Sequence, residues 1–242
     1  MWNEIVEENR NWRVSGRALF GPDRSDDAPG RLAGDECRII GMHSRMREVR
    51  KKETIYSQGD ADSSIYMLSD GAVNLTRITP RGDRLITDIV GRGTMFGGTA
   101  DGTIHRRNES AIVLDDGLLC AVSSEGFSRI AETAPELAMK MKGLLEERRC
   151  RREDRLVNLL FCTVEKRFAR TLLDLIGDFG SLHDGGYLLN ITLTHQTYAD
   201  LVASSRETIT MVLGRLRRAG VIDYEDRNII IQSVDKLNRI AR

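Results

Sequence analysis

From about Glu53 onward, short runs rich in β-forming residues alternate with glycines. Ser64-Ile-Tyr-Met-Leu68, Ala72-Val-Asn-Leu-Thr-Arg-Ile78 and Arg84-Leu-Ile-Thr-Asp-Ile-Val90 lie between Gly59, Gly71, Gly82 and the Gly91/Gly93 pair. Within them Val73 and Leu75 alternate with polar neighbours, the period of a half-buried strand. Asp70-Gly71 and Arg81-Gly82-Asp83 read as turns, and Ala111–Val122 reads as two further strands around Asp115-Asp116-Gly117. Short strands at this spacing predict an antiparallel sandwich or barrel. The chain before it is different. Gly21-Pro-Asp-Arg-Ser-Asp-Asp-Ala-Pro-Gly-Arg-Leu-Ala-Gly34 is too polar to bury a core, so residues 1–36 are expected to form a loose leader.

At Pro135 the period becomes helical. Pro135-Glu136 suits a first helical turn, and apolar residues recur at Leu137, Met141, Leu144/Leu145, Leu156, Leu159 and Leu160. The middle of this helix, Glu146–Arg155, carries five Arg and four acids. A helix of about 28 residues is roughly 42 Å long, and an apolar stripe at both ends predicts a partner helix, most simply a second copy of the chain. Arg167–Ile176 forms a second amphipathic helix, followed by a loop through Gly177, Gly180, Gly185 and Gly186. Thr194 can cap a short helix over Gln196–Ala203. Ser204-x-x-Glu207 has capping-box form for another helix that ends at Ala219-Gly220. Val221–Tyr224 and Ile229–Gln232 flank Glu225-Asp-Arg-Asn228 as a hairpin.

Two short helices joined by a tight turn and followed by a hairpin describe a winged helix-turn-helix. On the second helix Ile209, Leu213 and Leu216 share one face, which leaves Arg206, Glu207, Thr210, Met211 and Gly214 outward. Arg can donate twice to guanine and Glu can accept from cytosine N4, so Arg206 and Glu207 are suited to G·C pairs. Between Ser205 and Ala219 there are four Arg and one Glu, with Arg215, Arg217 and Arg218 near the helix end.

The stretch Thr194-His-Gln-Thr-Tyr-Ala-Asp-Leu-Val-Ala-Ser-Ser-Arg-Glu-Thr-Ile-Thr-Met-Val-Leu-Gly-Arg-Leu-Arg-Arg-Ala-Gly-Val-Ile222 resembles the DNA-binding signature of the cAMP receptor protein/FNR (CRP/FNR) family of bacterial transcription regulators. Gly59-Asp60, Ile65–Leu68, Gly71-x-Val73, Gly82, Gly93 and Phe96-Gly97 resemble that family's effector-binding domain. The resemblance covers about residues 50–242 and implies an α+β fold. After the leader over 1–36, it predicts an antiparallel β-roll of cyclic-nucleotide-binding type over 37–134, a dimerisation helix over 135–163 and a winged helix-turn-helix over 164–242. It also implies a homodimer on a near-palindromic double-stranded operator, with RNA polymerase as a further partner. Thr194, Gln196, Ser205, Arg206, Glu207, Thr208, Thr210, Met211 and Arg215 are the expected DNA-contacting residues. Members that read two successive G·C pairs carry a second Arg where this chain has Met211, and a thioether cannot donate to guanine.

The same resemblance bears on the effector. Cyclic-nucleotide binders carry a Glu after the Phe-Gly and an Arg before the next strand. Here Gly98 and Glu109 stand at those positions, so cyclic AMP is not expected. The cassette is closer to that of the cyanobacterial global nitrogen regulator, which holds 2-oxoglutarate. That likeness implies a small anionic effector at Phe96, Gly97, Gly98, Thr99, Arg107, Arg148 and Glu153, since Arg pairs bidentately with carboxylates. Salt bridges along a charged helix would account equally for Arg148 and Glu153. A redox- or haem-responsive regulator is the alternative within the family, with Cys37, Cys150, His43 or His105 as candidates, and a protein-interaction module using the β-roll lies outside it.

Composition narrows the remaining classes. The cysteines Cys37, Cys120, Cys150 and Cys162 have no C-x-x-C spacing, so neither a metal site nor a disulfide scaffold is expected. No nucleophile–base motif, phosphate-binding loop or dinucleotide fingerprint marks an enzyme. The apolar runs are too short to span a bilayer and the first residues do not read as a secretory signal, so a cytoplasmic protein without a membrane partner is expected. The 242 residues carry 36 basic and 36 acidic side chains. Residues 164–242 alone hold 11 basic and 10 acidic ones. Near-neutrality limits loose attachment to any duplex and leaves binding to specific contacts.

Overall fold

The computed structural model describes residue 32 and residues 34–98 and 105–242. The expected leader over 1–36 lies outside these apart from Leu32 and 34–36, and Thr99 lies outside them too. Helix α1 (Gly34–Met42) runs through the expected 36/37 boundary. Strands β1 (Arg45–Val49), β2 (Thr54–Tyr56) and β3 (Ala61–Asp62) follow, then the long β4 (Ile65–Ile78), β5 (Arg84–Val90), β6 (Thr94–Gly97), β7 (His105–Arg106) and the long β8 (Ser110–Val122). The main sheet is antiparallel in the order β1-β8-β4-β5, with β2 on β8 and β6 on β4; β3 and β7 pair separately.

The two long strands replace four expected short ones. Asp70-Gly71 and Asp115-Asp116-Gly117 are not hairpin turns. They lie opposite one another where β4 and β8 shift register between Leu68 and Val73. A side chain on Gly71 would place its Cβ 2.8 Å from the Asp115 carbonyl oxygen, and one on Gly117 would sit 2.0 Å from that of Asp70. These glycines permit close backbone approach at a bulge. Arg81-Gly82-Asp83 does turn the chain: Gly82, at φ 89°, donates its N–H to Thr79 O at 2.9 Å.

After β8 comes α2 (Ser124–Thr133), which the strand pattern did not predict. Ser123 caps it by accepting from the Gly126 N–H. Helix α3 (Pro135–Phe161) is 27 residues long, starts on Pro135 as expected and buries Leu137, Ala138 and Met141 against α1, α2 and the roll. Its other face leaves Met139, Val157, Leu160 and Phe161 exposed, the last at 81 %. Val157, Leu160 and Phe161 cluster at the C-terminal end of the helix, and Met139, eighteen residues or about five turns earlier, lies on the same side as Val157.

Helix α4 (Val164–Phe179) opens the C-terminal unit, capped by Thr163. The glycine-rich segment expected as a loop is a hairpin, β9 (Gly180–His183) and β10 (Gly186–Leu189), turning at Asp184-Gly185 with both residues at positive φ. Asp-Gly supplies that geometry for a two-residue turn. Helices α5 (His195–Leu201) and α6 (Arg206–Arg218) form the expected pair. The hairpin β11 (Ile222–Glu225) and β12 (Asn228–Ile231) adds to β10, giving a four-stranded sheet in the order β11-β12-β10-β9. A final helix, α7 (Val234–Ala241), not predicted from the sequence, packs on α4.

The two units share a core. Ala72, Ile86 and Ile89 of the roll join one apolar cluster with Phe168, Leu172, Phe179, Leu201 and Ile209. Gly91 lies so close to Phe179 that a Cβ would sit 2.9 Å from its ring, and Arg84 of β5 pairs with Asp200 of α5 at 3.5 Å. No helix among the described residues is long and apolar enough to cross a membrane.

Candidate functional site

Two regions gather the expected site residues. The first is the outward face of α6. Thr194 caps α5 by accepting from the Thr197 N–H at 3.0 Å. The cap of α6 is Ser205, one residue beyond the Ser204 expected from the capping-box pattern; it accepts from the Thr208 N–H at 3.1 Å. Ile209, Val212, Leu213 and Leu216 are buried, so the helix is anchored by one apolar face and its orientation is fixed. Arg206, Glu207, Thr210 and Met211 point away, Met211 at 60 % exposure.

Hydrogen bonding divides these residues further. The Ser205 and Thr208 hydroxyls bond one another at 3.0 Å. Thr210 donates to the Arg206 carbonyl at 2.9 Å and meets His195 Nδ1 at 2.8 Å. Gln196 donates to Asp200 at 2.7 Å, and Arg215 to Glu165 of α4 at 3.2 Å. Arg206 and Glu207 form no ion pair among the described residues. The Glu207 carboxyl is held below its ordinary range by the N–H of its own residue and then by Ser205, so it is ionised at neutral pH. An exposed guanidinium and an exposed carboxylate, neither in an ion pair among the described residues, offer a donor fork and an acceptor side by side at a helix N-terminus.

The second region is a cavity of about 490 Å³ between the roll, α3 and the C-terminal unit. Gly97, Gly98, Arg107 and Glu153 of the expected effector set line it. Phe96 is buried behind it, stacked on Tyr66 with ring centroids 5.5 Å apart. Arg148 is not in the lining. It lies buried against the roll and donates to Asp88 at 2.6 Å, because a guanidinium removed from water needs a carboxylate partner. Arg148 therefore pairs across to the roll and not along its own helix, whereas Glu153 does form an along-helix bridge, with Arg149.

Arg107 is held through one terminal nitrogen, while its Nε is buried without a hydrogen-bond partner. It donates to Asp62 at 2.6 Å and to the Ser64 carbonyl at 2.7 Å, with its guanidinium 4.5 Å from the Tyr56 ring centroid. Burial pushes the Asp62 carboxyl up, but the Arg107 hydrogen bond, with those of Ser64 and Tyr66, outweighs burial and holds it at about 2. Burial, then the hydrogen bond to Asp62, pushes Tyr66 up to about 12. Glu109, buried, accepts from Thr87 at 2.7 Å and from Arg152 of α3 at 2.9 Å. The residues that sequence reasoning missed are those brought in from other elements: Tyr56, Asp62, Arg152, Arg155 and the α4 side chains Arg167 and Arg170. Only Arg152 and Arg155 had a sequence signal, as part of the charged centre of α3.

An ion-pair network adjoins the cavity, with Arg155 and Asp174 in the cavity lining. Asp88 of β5 meets Arg148 and also Arg155 at 3.6 Å, and Arg155 reaches Asp174 of α4 at 3.2 Å. Burial opposes ionisation of Asp88, but Arg148 and Arg155 together hold its carboxyl below the ordinary range. Among the cysteines, Cys150 is exposed on α3, Cys120 is buried, and Cys37 and Cys162 are partly buried. No group of three His, Cys, Asp or Glu among the described residues could hold a metal ion.

Comparison with known proteins bears on both regions. A Crp-like helix-turn-helix domain matches residues 166–240, and a cyclic nucleotide-binding domain matches residues 46–134. The chain is 27 % identical to a CRP-like cAMP-activated global transcriptional regulator of Mycobacterium tuberculosis, over 78 % of this chain and 84 % of that protein. It is 27 % identical to the global nitrogen regulator of Nostoc sp., over 78 % of this chain and 86 % of the relative. The structure of FixK2 from Bradyrhizobium japonicum shares the fold with a TM-score of 0.72 at 20 % identity, covering 82 % of this chain and 98 % of that one.

Proposed function

This chain belongs to the CRP/FNR family of transcription regulators, with a DNA-binding helix-turn-helix and a sensor domain of cyclic-nucleotide-binding type, and from that premise we propose how it works. It is a homodimer, joined along α3, that reads a near-palindromic operator through Arg206 and Glu207 under the control of an anion held in the cavity. The exposed apolar side chains at the two ends of α3, Met139 near its start and Val157, Leu160 and Phe161 near its end, support the dimer, since apolar side chains of this size gain by pairing with a second copy. The observation that carries the DNA reading is the exposed Arg206/Glu207 pair, which forms no ion pair among the described residues, beside Thr208, Thr210 and Gln196 side chains that are already bonded within α5 and α6. Thr194, Gln196, Ser205, Thr208, Thr210 and Arg215 flank it as phosphate-side contacts, and RNA polymerase is the partner through which a bound dimer would act in the cytoplasm.

The effector is an anion other than cyclic AMP. Glu109 and Gly98 occupy the places where cyclic-nucleotide binders carry their phosphate-holding Arg and ribose-holding Glu. Likeness to the nitrogen regulator makes 2-oxoglutarate the first compound to test, with Arg107 and Glu153 in the lining and Arg152 nearer the cavity than Arg148.

Selection of bound duplexes from a random pool tests the DNA reading. Enrichment of two inverted half-sites about 10 base pairs apart, each with a G·C pair, is the expected result. Enrichment of a single unpaired motif, or of none, would remove it.

A further inference from the structure

The cavity continues past the sensor domain. One of its walls is the DNA-binding unit itself: Leu201 and Val202 at the end of α5, and Arg167 and Arg170 on α4. We propose that it binds an amphipathic organic anion, a carboxylate or phosphate carried on an apolar body, which lies across the junction and touches both units. This rests on the reading of the cavity as the effector site and names the chemical class it takes.

The charges in the lining give the sign of the ligand. Each of its four carboxylates has an arginine partner in the same lining: Asp62 with Arg107, Glu109 with Arg152, Glu153 with Arg149, and Asp174 with Arg155. Four more arginines, Arg77, Arg106, Arg167 and Arg170, line the cavity without a carboxylate partner among the described residues. The surplus is therefore cationic, and low-dielectric walls strengthen its attraction for an anion.

The rest of the lining gives the body. Leu85 and Ile86 of β5 face the cavity from the roll, Leu156 and Leu159 from α3, and Leu201 and Val202 from α5. A small hydrophilic dianion would leave this wall uncovered, whereas pockets of this size usually enclose most of their ligand against apolar side chains. Tyr56 adds an independent sign. It lines the cavity at 5 % exposure, and its hydroxyl is buried without a hydrogen-bond partner. Buried polar groups are ordinarily satisfied, and a ligand oxygen would satisfy this one.

The location implies regulation. A ligand that touches α3, α4 and α5 together changes how α5 and α6 are held against the roll, so its binding and DNA binding are linked. Linkage is reciprocal, and such couplings usually change affinity by about 5- to 150-fold.

Calorimetric titration of the full chain with octanoate, 1-octanol and 2-oxoglutarate tests the class. Octanoate is expected to bind at least about tenfold more tightly than either of the others. Leu85→Asn should weaken octanoate and spare 2-oxoglutarate, and Arg77→Gln/Arg106→Gln should weaken octanoate and spare octanol. Octanoate should also shift affinity for a selected duplex, and the duplex should shift octanoate affinity by the same factor. If 2-oxoglutarate binds more tightly than octanoate, or octanol equals octanoate, the amphipathic class is wrong and the cavity remains an effector site. If octanoate binds without altering duplex affinity, the junction role is wrong. If none of the three binds while the duplex does, the effector reading of the cavity itself fails.

Discussion

The reading face of α6 and the junction beneath it use the same side chains in opposite ways. On α6 the decisive charges, Arg206 and Glu207, are exposed and form no ion pair among the described residues. At the junction, Arg148, Arg155 and Asp88 are drawn out of water and bound to one another. Exposed charges contribute little to stability, while removing one member of a buried pair strands the other. Substitutions on the face should therefore change what the protein binds, and those at the junction should change whether it stays folded with its two units docked.

The largest effect that would sharpen this contrast is at Asp88. Asp88→Asn leaves the buried Arg148 guanidinium without its carboxylate and should lower unfolding free energy by about 3–5 kcal/mol, read by urea titration. A loss below about 1 kcal/mol would mean that the network is solvated and that the contrast is false. Next comes Met211. Met211→Arg restores a donor one turn beyond Arg206 and should shift preference at the neighbouring base pair toward guanine by about 1–3 kcal/mol, read by competition between duplexes differing at that pair. Stability should stay within about 0.5 kcal/mol of the parent, as expected of an exposed site. The smallest effect lies in acid. The Asp62 carboxyl titrates at about 2 in the fold against an ordinary 3.8. Its contribution is present above the unfolded value and is lost as pH falls through the folded one. Asp62→Asn should thus flatten the stability curve between about pH 4 and 2, measured by thermal melts across that range. An unchanged slope would show that Arg107 does not hold Asp62 in solution.

The same division explains what the sequence made legible. The α6 face rests on local rules: a cap, apolar residues every three or four positions, and two adjacent charged side chains at the helix start. These put Ile209, Leu213 and Leu216 inside and Arg206 and Glu207 outside without reference to the rest of the chain. Long-range placement was less accessible. Asp70-Gly71 has the composition of a turn, and only its partner strand, arriving at Asp115–Gly117, makes it a bulge inside one continuous strand. Helices α2 and α7 are short, yet local rules mark them too: Ser123 and Ser233 cap them, and Phe127/Ile130 and Val234/Leu237/Ala241 recur at helical spacing. The cavity is the extreme case. Tyr56, Arg152 and Arg170 are far apart in sequence and meet only after β2, α3 and α4 pack together. Arg148 shows how likeness in sequence misleads at such a site, because one helical turn separates a cavity-lining arginine from one buried in an ion pair.

The central claim is that Arg206 and Glu207 carry specific DNA recognition. Fluorescence anisotropy titration of a selected palindromic duplex, at fixed salt, compares the parent with Arg206→Ala/Glu207→Ala. Two lost base contacts of about 1–3 kcal/mol each should weaken binding by at least about 30-fold. The urea midpoint should be unchanged. Parental affinity and base preference in the double variant would contradict the claim.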